Sequence, residues 1–229
     1  MIHIVTKSEI HQNILSEFPN AIIIDFTSKV NDVINRLNPY YPYRDIPVPN
    51  SGGLVAESVG SIWQGLKVFE KNDVDVELMG NYLNNKLKYA TKDYGCYLGH
   101  RYGIHGLDLI NISDARRRIL IPTYRWVLDY KVQDAIIEIR AANKKNDIIF
   151  IDQTEYYERH DYSHPISHVS LFKAYIEGLF PYEDVFNTLI RHHHYIGRKY
   201  IQWTTLERSP KIIEPYVINV EPDIPFDIV

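Results

Sequence analysis

The sequence predicts an α+β fold: a mostly helical single domain over residues 1–208 with a small β-sheet, followed by an extended tail over 209–229. Three observations predict it. Apolar residues recur at helical spacing in several segments, while strand-like runs are few and short. Consecutive strand–helix–strand units are missing, which disfavours a doubly wound parallel sheet. Proline punctuates the chain after Ser209, which suits a surface-draped tail.

Each element has its own reason. Residues 2–5 and 21–26 read as short strands, with Ile22, Ile23 and Ile24 buried on both faces. A short helix fits between them, over 9–18. Residues 35–53 form a loop, because four prolines and two glycines forbid regular structure. A loop of that length is more often functional than not. The next segment, 54–71, reads as one helix. Its core stripe is Val55, Val59, Ile62, Leu66 and Phe69; its polar face holds Glu57, Ser61, Gln64, Lys67 and Lys71.

Residues 76–90 are expected to be helical. Glycines punctuate 91–110, with His100 and Arg101 among them. Ser113 is the expected N-cap of a helix from Asp114, with Pro122 kinking or restarting it and the pattern running to 143. Ile119, Trp126 and Tyr130 form an apolar stripe there, and Arg118 and Arg125 share another face. Residues 148–151 read as a strand and 153–164 as a polar, aromatic loop. Pro165 suits the first turn of a helix over 166–179. A last helix is expected over 182–200.

Composition narrows the function. One cysteine, Cys96, forbids an intrachain disulfide and removes cysteine-based zinc sites; a reducing, cytoplasmic setting is expected. No apolar run reaches the length of a membrane span, and the first residues do not read as a signal peptide. Residues 86–131 hold 9 Lys/Arg against 4 Asp/Glu in a chain whose net charge is −4. That local excess suits phosphate groups on a small ligand or a limited nucleic-acid contact, or else a solvated helix face. Tyr is abundant, 18 against 8 Phe, and serves cores and ligand pockets equally. The wealth of Ile, Asn, Lys and Tyr fits an AT-rich genome, such as a phage's.

No Walker A loop, G-x-G-x-x-G, H-E-x-x-H, G-x-S-x-G or C-x-x-C is present. His192, His193 and His194 point about 100° apart on a regular helix and cannot chelate one ion. His164 and His168 lie a helical turn apart without a third ligand, so no metal is expected. The paired feature that stands out is the Tyr/Pro loop at 38–42 and the segment after it. Aromatic rings there offer a stacking surface, and Glu57, Gln64 and Lys67 a polar side.

At these residues the chain resembles the NADAR (NAD- and ADP-ribose-associated) family, which includes the YbiA-like proteins. The likeness is carried by Asn38-Pro39-Tyr40-Tyr41-Pro42 and by Ser58-Val59-Gly60-Ser61-Ile62-Trp63-Gln64-Gly65-Leu66-Lys67. A basic, glycine-containing segment over 88–101 and a helix with Arg116, Arg117, Arg118, Arg125 and Trp126 follow in the family's order. The resemblance covers about residues 36–152. It implies an α+β, mostly helical fold, an N-glycosidase activity on a ribosylated or ADP-ribosylated base or nucleotide, and no cofactor. The implied partner is a small nucleotide or an ADP-ribosylated nucleic acid.

Cleaving an N-glycosidic bond builds positive charge at the sugar C1 and negative charge on the departing base. Glu57 is the expected carboxylate, with Asp161 the other candidate. Asn38 belongs to the loop motif, and Gln64 and Lys67 orient the substrate. Tyr40 and Tyr41, with Trp63 or Trp126, stack on the base, and Arg101, Arg118 and Arg125 hold phosphates. Two departures from the family pattern stand out. Gly60 occupies its acidic position, and Asp161-Tyr162-Ser163-His164-Pro165 stands where its Asp-x-x-Trp-Gly is absent. They motivate the alternatives: a catalytically inactive ADP-ribose or nucleotide sensor, or an interaction protein with a vestigial pocket.

Overall fold

The computed structural model describes residues 1–6, 14–28, 32–80, 88, 90–153, 162–163 and 165–181. Strands β1 (Ile2–Thr6), β2 (Ile22–Asp25) and β8 (Ile148–Asp152) form a three-stranded sheet in the order β1-β8-β2. Both outer strands run parallel to β8. Every residue of β8 is buried, as a continuous apolar run in the middle of a parallel sheet should be. β2 differs from expectation: as an edge strand it leaves Ile22 and Ile23 37% and 45% exposed. A short helix, α1 (Ile14–Glu17), lies between β1 and β2.

The middle of the chain builds a second, antiparallel sheet. A brief helix α2 (Asp32–Asn35) leads into the proline loop. The loop is not wholly irregular, since β3 (Ile46–Pro47) pairs with β4 (Val55–Ala56). The segment 54–71 is a strand, a helix and a strand rather than one helix. Between β4 and β5 (Lys67–Phe69) stands α3 (Val59–Leu66). Ser58 starts α3 by a capping box: its hydroxyl accepts from the Ser61 amide at 2.9 Å, and the Ser61 hydroxyl accepts from the Ser58 amide at 3.1 Å. Lys67 leaves helical geometry and ends it. Val55 and Phe69 keep the apolar spacing but lie in the flanking strands, so the stripe overstates the helix.

All eight residues of α3 are buried. Of the expected polar face, Ser61, Gln64 and Lys67 are covered, while Lys71 is exposed. A short α4 (Val76–Gly80) packs on it, with Met79 against Gly65. Of the helix expected over 76–90, residues 81–87 and 89 lie outside the described residues. β5 pairs with β6 (Tyr97–Arg101), and β6 with β7 (Leu109–Ile110).

A continuous helical stretch follows. α5 (Ile112–Ala115) is capped by Asn111 rather than Ser113, the Asn111 side chain accepting from the Asp114 amide. A π-helical turn (Arg116–Leu120) joins it to α6 (Ile121–Tyr130). The wide turn sits just before Pro122, whose ring would collide with the Arg118 carbonyl in an unbroken α-helix. A separate α7 (Gln133–Asn143) completes what the pattern presented as one run to 143. Pro165 lies before the N-cap of α8 (His168–Glu177), not in its first turn; the cap is Ser167. The expected helix at 182–200 and tail at 209–229 lie outside the described residues.

The main core draws on both sheets' neighbourhoods, from Ile2 and Phe150 to Ile62, Trp63 and Tyr124. Among the described residues no helix is long and apolar enough to cross a membrane.

Candidate functional site

The proline loop delivers Tyr40 onto α3. Asn38 makes the turn: its side-chain oxygen accepts from the Tyr40 amide at 2.8 Å, and its carbonyl from the Tyr41 amide at 2.9 Å. The Pro39 carbonyl then accepts from the Gly60 amide at 2.9 Å. The Tyr40 ring lies flat against the helix backbone at Gly60. A Cβ there would stand 2.3 Å from two of the ring carbons, so this helical position admits only glycine. That is the physical reason for Gly60: the tyrosine occupies the space of a side chain. The Tyr40 hydroxyl lies 3.4 Å from Gln64 Nε2, a long hydrogen bond.

Gln64 carries the contact inward. Its Oε1 accepts from the Lys88 amide at 3.2 Å. The Lys88 ammonium donates to the Lys67 carbonyl at 3.1 Å and the Asp73 carbonyl at 2.7 Å. Lys67 is the direct cross-strand partner of His100 in the β5–β6 ladder, a position that brings Cβ atoms to about 5 Å. Lys67, Lys88, His100 and Arg116 are 4%, 1%, 0% and 1% exposed. Arg116 enters from the π-helical turn and donates to the Tyr162 carbonyl at 2.8 Å.

This cluster sets the protonation of its members. Burial drives the His100 pKa well below the ordinary histidine value. Lys67 and Arg116 push the same way, the Trp63 backbone opposes them, and Lys88 adds to the fall. The imidazole is therefore neutral at pH 7. Burial likewise lowers Lys88 to about 8, against the pull of Asp75 and Asp73. The Tyr97 hydroxyl is 2.6 Å from His100 Nδ1, and the Trp63 ring lies 4.0 Å from the imidazole. Nε2 of His100 is buried, and a hydrogen bond with the Trp63 backbone acts on the ring.

The other sequence-selected residues fall in several places. Glu57 precedes the Ser58 cap, so it is not on the helix face of Gln64 and Lys67. Its carboxylate is 3.6 Å from Arg44 Nε, and its carbonyl accepts from the Arg44 amide at 2.8 Å. Arg44 and Asp45 both adopt left-handed backbone there, at φ 59° and 57°, a conformation that costs a non-glycine residue on the order of 1 kcal/mol. Trp63 is fully buried and forms a wall of the His100 site. Tyr41 packs on Tyr43, ring centroids 4.7 Å apart. Trp126 packs on Tyr130, with the Lys131 ammonium over its ring.

The three arginines expected to hold phosphates do not converge. Arg101 pairs with Asp73 at 2.9 Å and also donates to the Leu107 carbonyl. Arg118 lies over the Tyr102 ring at 4.1 Å. Arg125 is buried 3.6 Å from the Asp129 carboxylate, with Phe180 beyond. The π-helical turn breaks the face that Arg118 and Arg125 share in a regular helix. Asp161, His164 and the residues 192–194 lie outside the described residues. Among the described residues no group of three or more His, Cys, Asp or Glu is placed to hold a metal ion.

Sequence reasoning missed three site residues. Lys88 and Arg116 sat in segments marked only as basic, and His100 in one marked only as glycine-punctuated. A weak signal existed: His100, at the end of a short Tyr-Leu-Gly-His-Arg strand, faces a lysine that ends a helix.

The fold and this cluster define a mixed helix-and-sheet protein with a buried basic site between an antiparallel sheet and a glycine-containing helix. The chain matches a family of unknown function (DUF6939) over residues 6–172, and it belongs to that family. No curated protein and no solved structure matches it.

Proposed function

We propose that the chain is an N-glycosidase that hydrolyses the bond between a base and its ribose in a ribosylated or ADP-ribosylated base or nucleotide. One observation carries the reading. Tyr40, on Gly60, reaches Gln64, whose Oε1 accepts from the Lys88 amide, and the Lys88 ammonium donates to the Lys67 carbonyl. An aromatic wall thus adjoins an anion-accepting interior, the combination a phosphorylated nucleoside requires. The NADAR-like order of the motifs supports the same reading.

In this mechanism Glu57 stands near the sugar C1. It activates a water, whose oxygen bonds to C1 as the base leaves with the bonding electron pair and takes up a proton. The carboxylate also offsets the positive charge that builds on the sugar. The Arg44 guanidinium, 3.6 Å away, keeps the Glu57 carboxylate in place. Full-length protein incubated with ribosylated nucleotides should release free base, detectable by chromatography. Glu57→Gln should stop turnover and spare binding; unchanged turnover removes Glu57 from the mechanism.

A second reading is binding without hydrolysis, as in a sensor. The Tyr40 ring favours it, because it fills the space over Gly60 where the resemblance expects a carboxylate. Ligand-induced thermal stabilisation with no base released selects this reading.

A further inference from the structure

We propose that residues 38–45 form a strap that lifts as one piece off Glu57 and the first turn of α3, and that this motion opens the proposed site. The strap deepens the glycosidase reading and rests on it for what the opening admits.

The first argument is how the strap is held. Its ends are anchored in the core. Leu37 and Ile46 are fully buried, the Leu37 carbonyl accepts from the Tyr124 hydroxyl, and Ile46 pairs with Ala56. Between these anchors Pro42, Arg44 and Asp45 are exposed, and Tyr40, Tyr41 and Tyr43 are half-buried. Two backbone bonds tie the strap to the helix side. The Arg44 amide donates to the Glu57 carbonyl at 2.8 Å, and the Gly60 amide donates to the Pro39 carbonyl at 2.9 Å. The Tyr40 ring on Gly60 and the Arg44–Glu57 pair add side-chain contacts at the same two points.

The second argument is strain that opposes closure. Arg44 and Asp45 are consecutive and both left-handed, at φ 59° and 57°. Neither is glycine, so each side chain crowds its own backbone there. Such a conformation persists where the surroundings impose it. Here the Arg44 amide, drawn onto the Glu57 carbonyl, helps to impose it. Lifting the strap breaks that bond and lets both residues return to negative φ. The strain sits beside the Ile46 anchor, where a hinge must be.

The third argument is that the strap moves whole. Pro39 and Pro42 fix two φ angles within eight residues. The Tyr41 and Tyr43 rings pack on each other on either side of Pro42, 4.7 Å between centroids. Asn38 closes the turn at the other end by accepting from the Tyr40 and Tyr41 amides. One motion therefore takes Arg44 off Glu57 and the Tyr40 ring off Gly60.

The test is native-state hydrogen exchange of the full-length protein without ligand. Two amides report from opposite ends of the strap. One is Arg44. The other is Gly60, in the first turn of α3, where an amide has no acceptor within the helix. The Ile62 amide on the Ser58 carbonyl and the Val48 amide on the Leu54 carbonyl are references beside the strap. Arg44 and Gly60 should share one opening constant, within about twofold and at least about tenfold larger than that of either reference. Asp45→Val puts a branched side chain at positive φ on an exposed residue. It should raise both strap constants at least about fivefold and leave the references unchanged. Carbodiimide labelling of Glu57, read by mass spectrometry, should rise by the same factor.

Four outcomes overturn the strap: unequal constants for Arg44 and Gly60, exchange there as slow as at Ile62, an Asp45→Val chain in which references and strap change alike, or Glu57 labelling that does not follow the exchange. Should Asp45→Val not fold, the wild-type comparison decides alone. The glycosidase reading fails separately. A strap that opens with no base released from any nucleotide keeps the strap and removes the glycosidase. Base release with Arg44 as protected as Ile62 keeps the glycosidase and removes the strap.

Discussion

Among the described residues stand two three-stranded sheets, built on opposite principles. The parallel sheet β1-β8-β2 has an apolar centre: Phe150 on β8 lies 5.0 Å from the Phe26 ring and 5.8 Å from the Phe172 ring. The antiparallel sheet β5-β6-β7 buries a lysine opposite a histidine. The first is held by area removed from water, the second by a polar arrangement that must be satisfied group by group. The contrast teaches how each sheet fails: the apolar one by a cavity, the polar one by any buried group left without its partner.

The largest expected effect falls on the apolar sheet. Phe150→Ala should cost about 3–5 kcal/mol in urea unfolding. A cost below about 1 kcal/mol would erase the distinction between the sheets.

The next effect is a pH dependence confined to the polar sheet. Burial holds Lys88 at about 8 in the folded chain, below its ordinary 10.5. Below pH 8 both folded and unfolded chains are protonated, and the full cost of burying the charge is present. Between pH 8 and 10.5 the unfolded chain keeps a proton that the folded chain has shed. Stability from this group therefore rises with pH, by up to about 3 kcal/mol. Asp73, held low by Arg101, keeps its charge there, and His100 stays neutral. Lys88→Met should remove the rise, read by urea melts at successive pH values.

Gly60→Ala comes third. Its methyl meets the Tyr40 ring at 2.3 Å, and overpacking of this kind costs about 1–3 kcal/mol. The cost should largely vanish in the background of Tyr40→Ala, a coupling that a double-mutant cycle measures. The smallest effect is Arg101→Ala. It removes a surface pair with Asp73, worth about 0–1 kcal/mol in the same urea melts.

The same contrast explains what could be read from the sequence. The Ile-rich runs at 2–5 and 148–151 announced their strands, because an apolar strand is a local pattern. Their pairing, and Ile22 and Ile23 at the sheet edge, depended on neighbours far along the chain. The stripe from Val55 to Phe69 has helical spacing, yet Ser58 and Lys67 end the helix within it. Tyr40, Gln64 and Lys67 were visible as a loop-plus-helix motif, and the structure brings Tyr40 to Gln64. Glu57 was placed on the wrong side of the cap. His100 opposite Lys67 is a matter of strand register, and Arg116 beside them depends on the π-helical turn. Neither is written in local spacing. Spacing puts Arg118 and Arg125 on one face, but cannot show Asp73 and Asp129 pairing with Arg101 and Arg125.

The central claim is that the Tyr40 wall on α3 serves a ribosylated nucleotide. Incubation of the full-length protein with ribosylated and ADP-ribosylated nucleotides, read by chromatography, tests it most directly. The account predicts release of free base, lost in Glu57→Gln. No base released from any of them, and no thermal stabilisation by them, would contradict it.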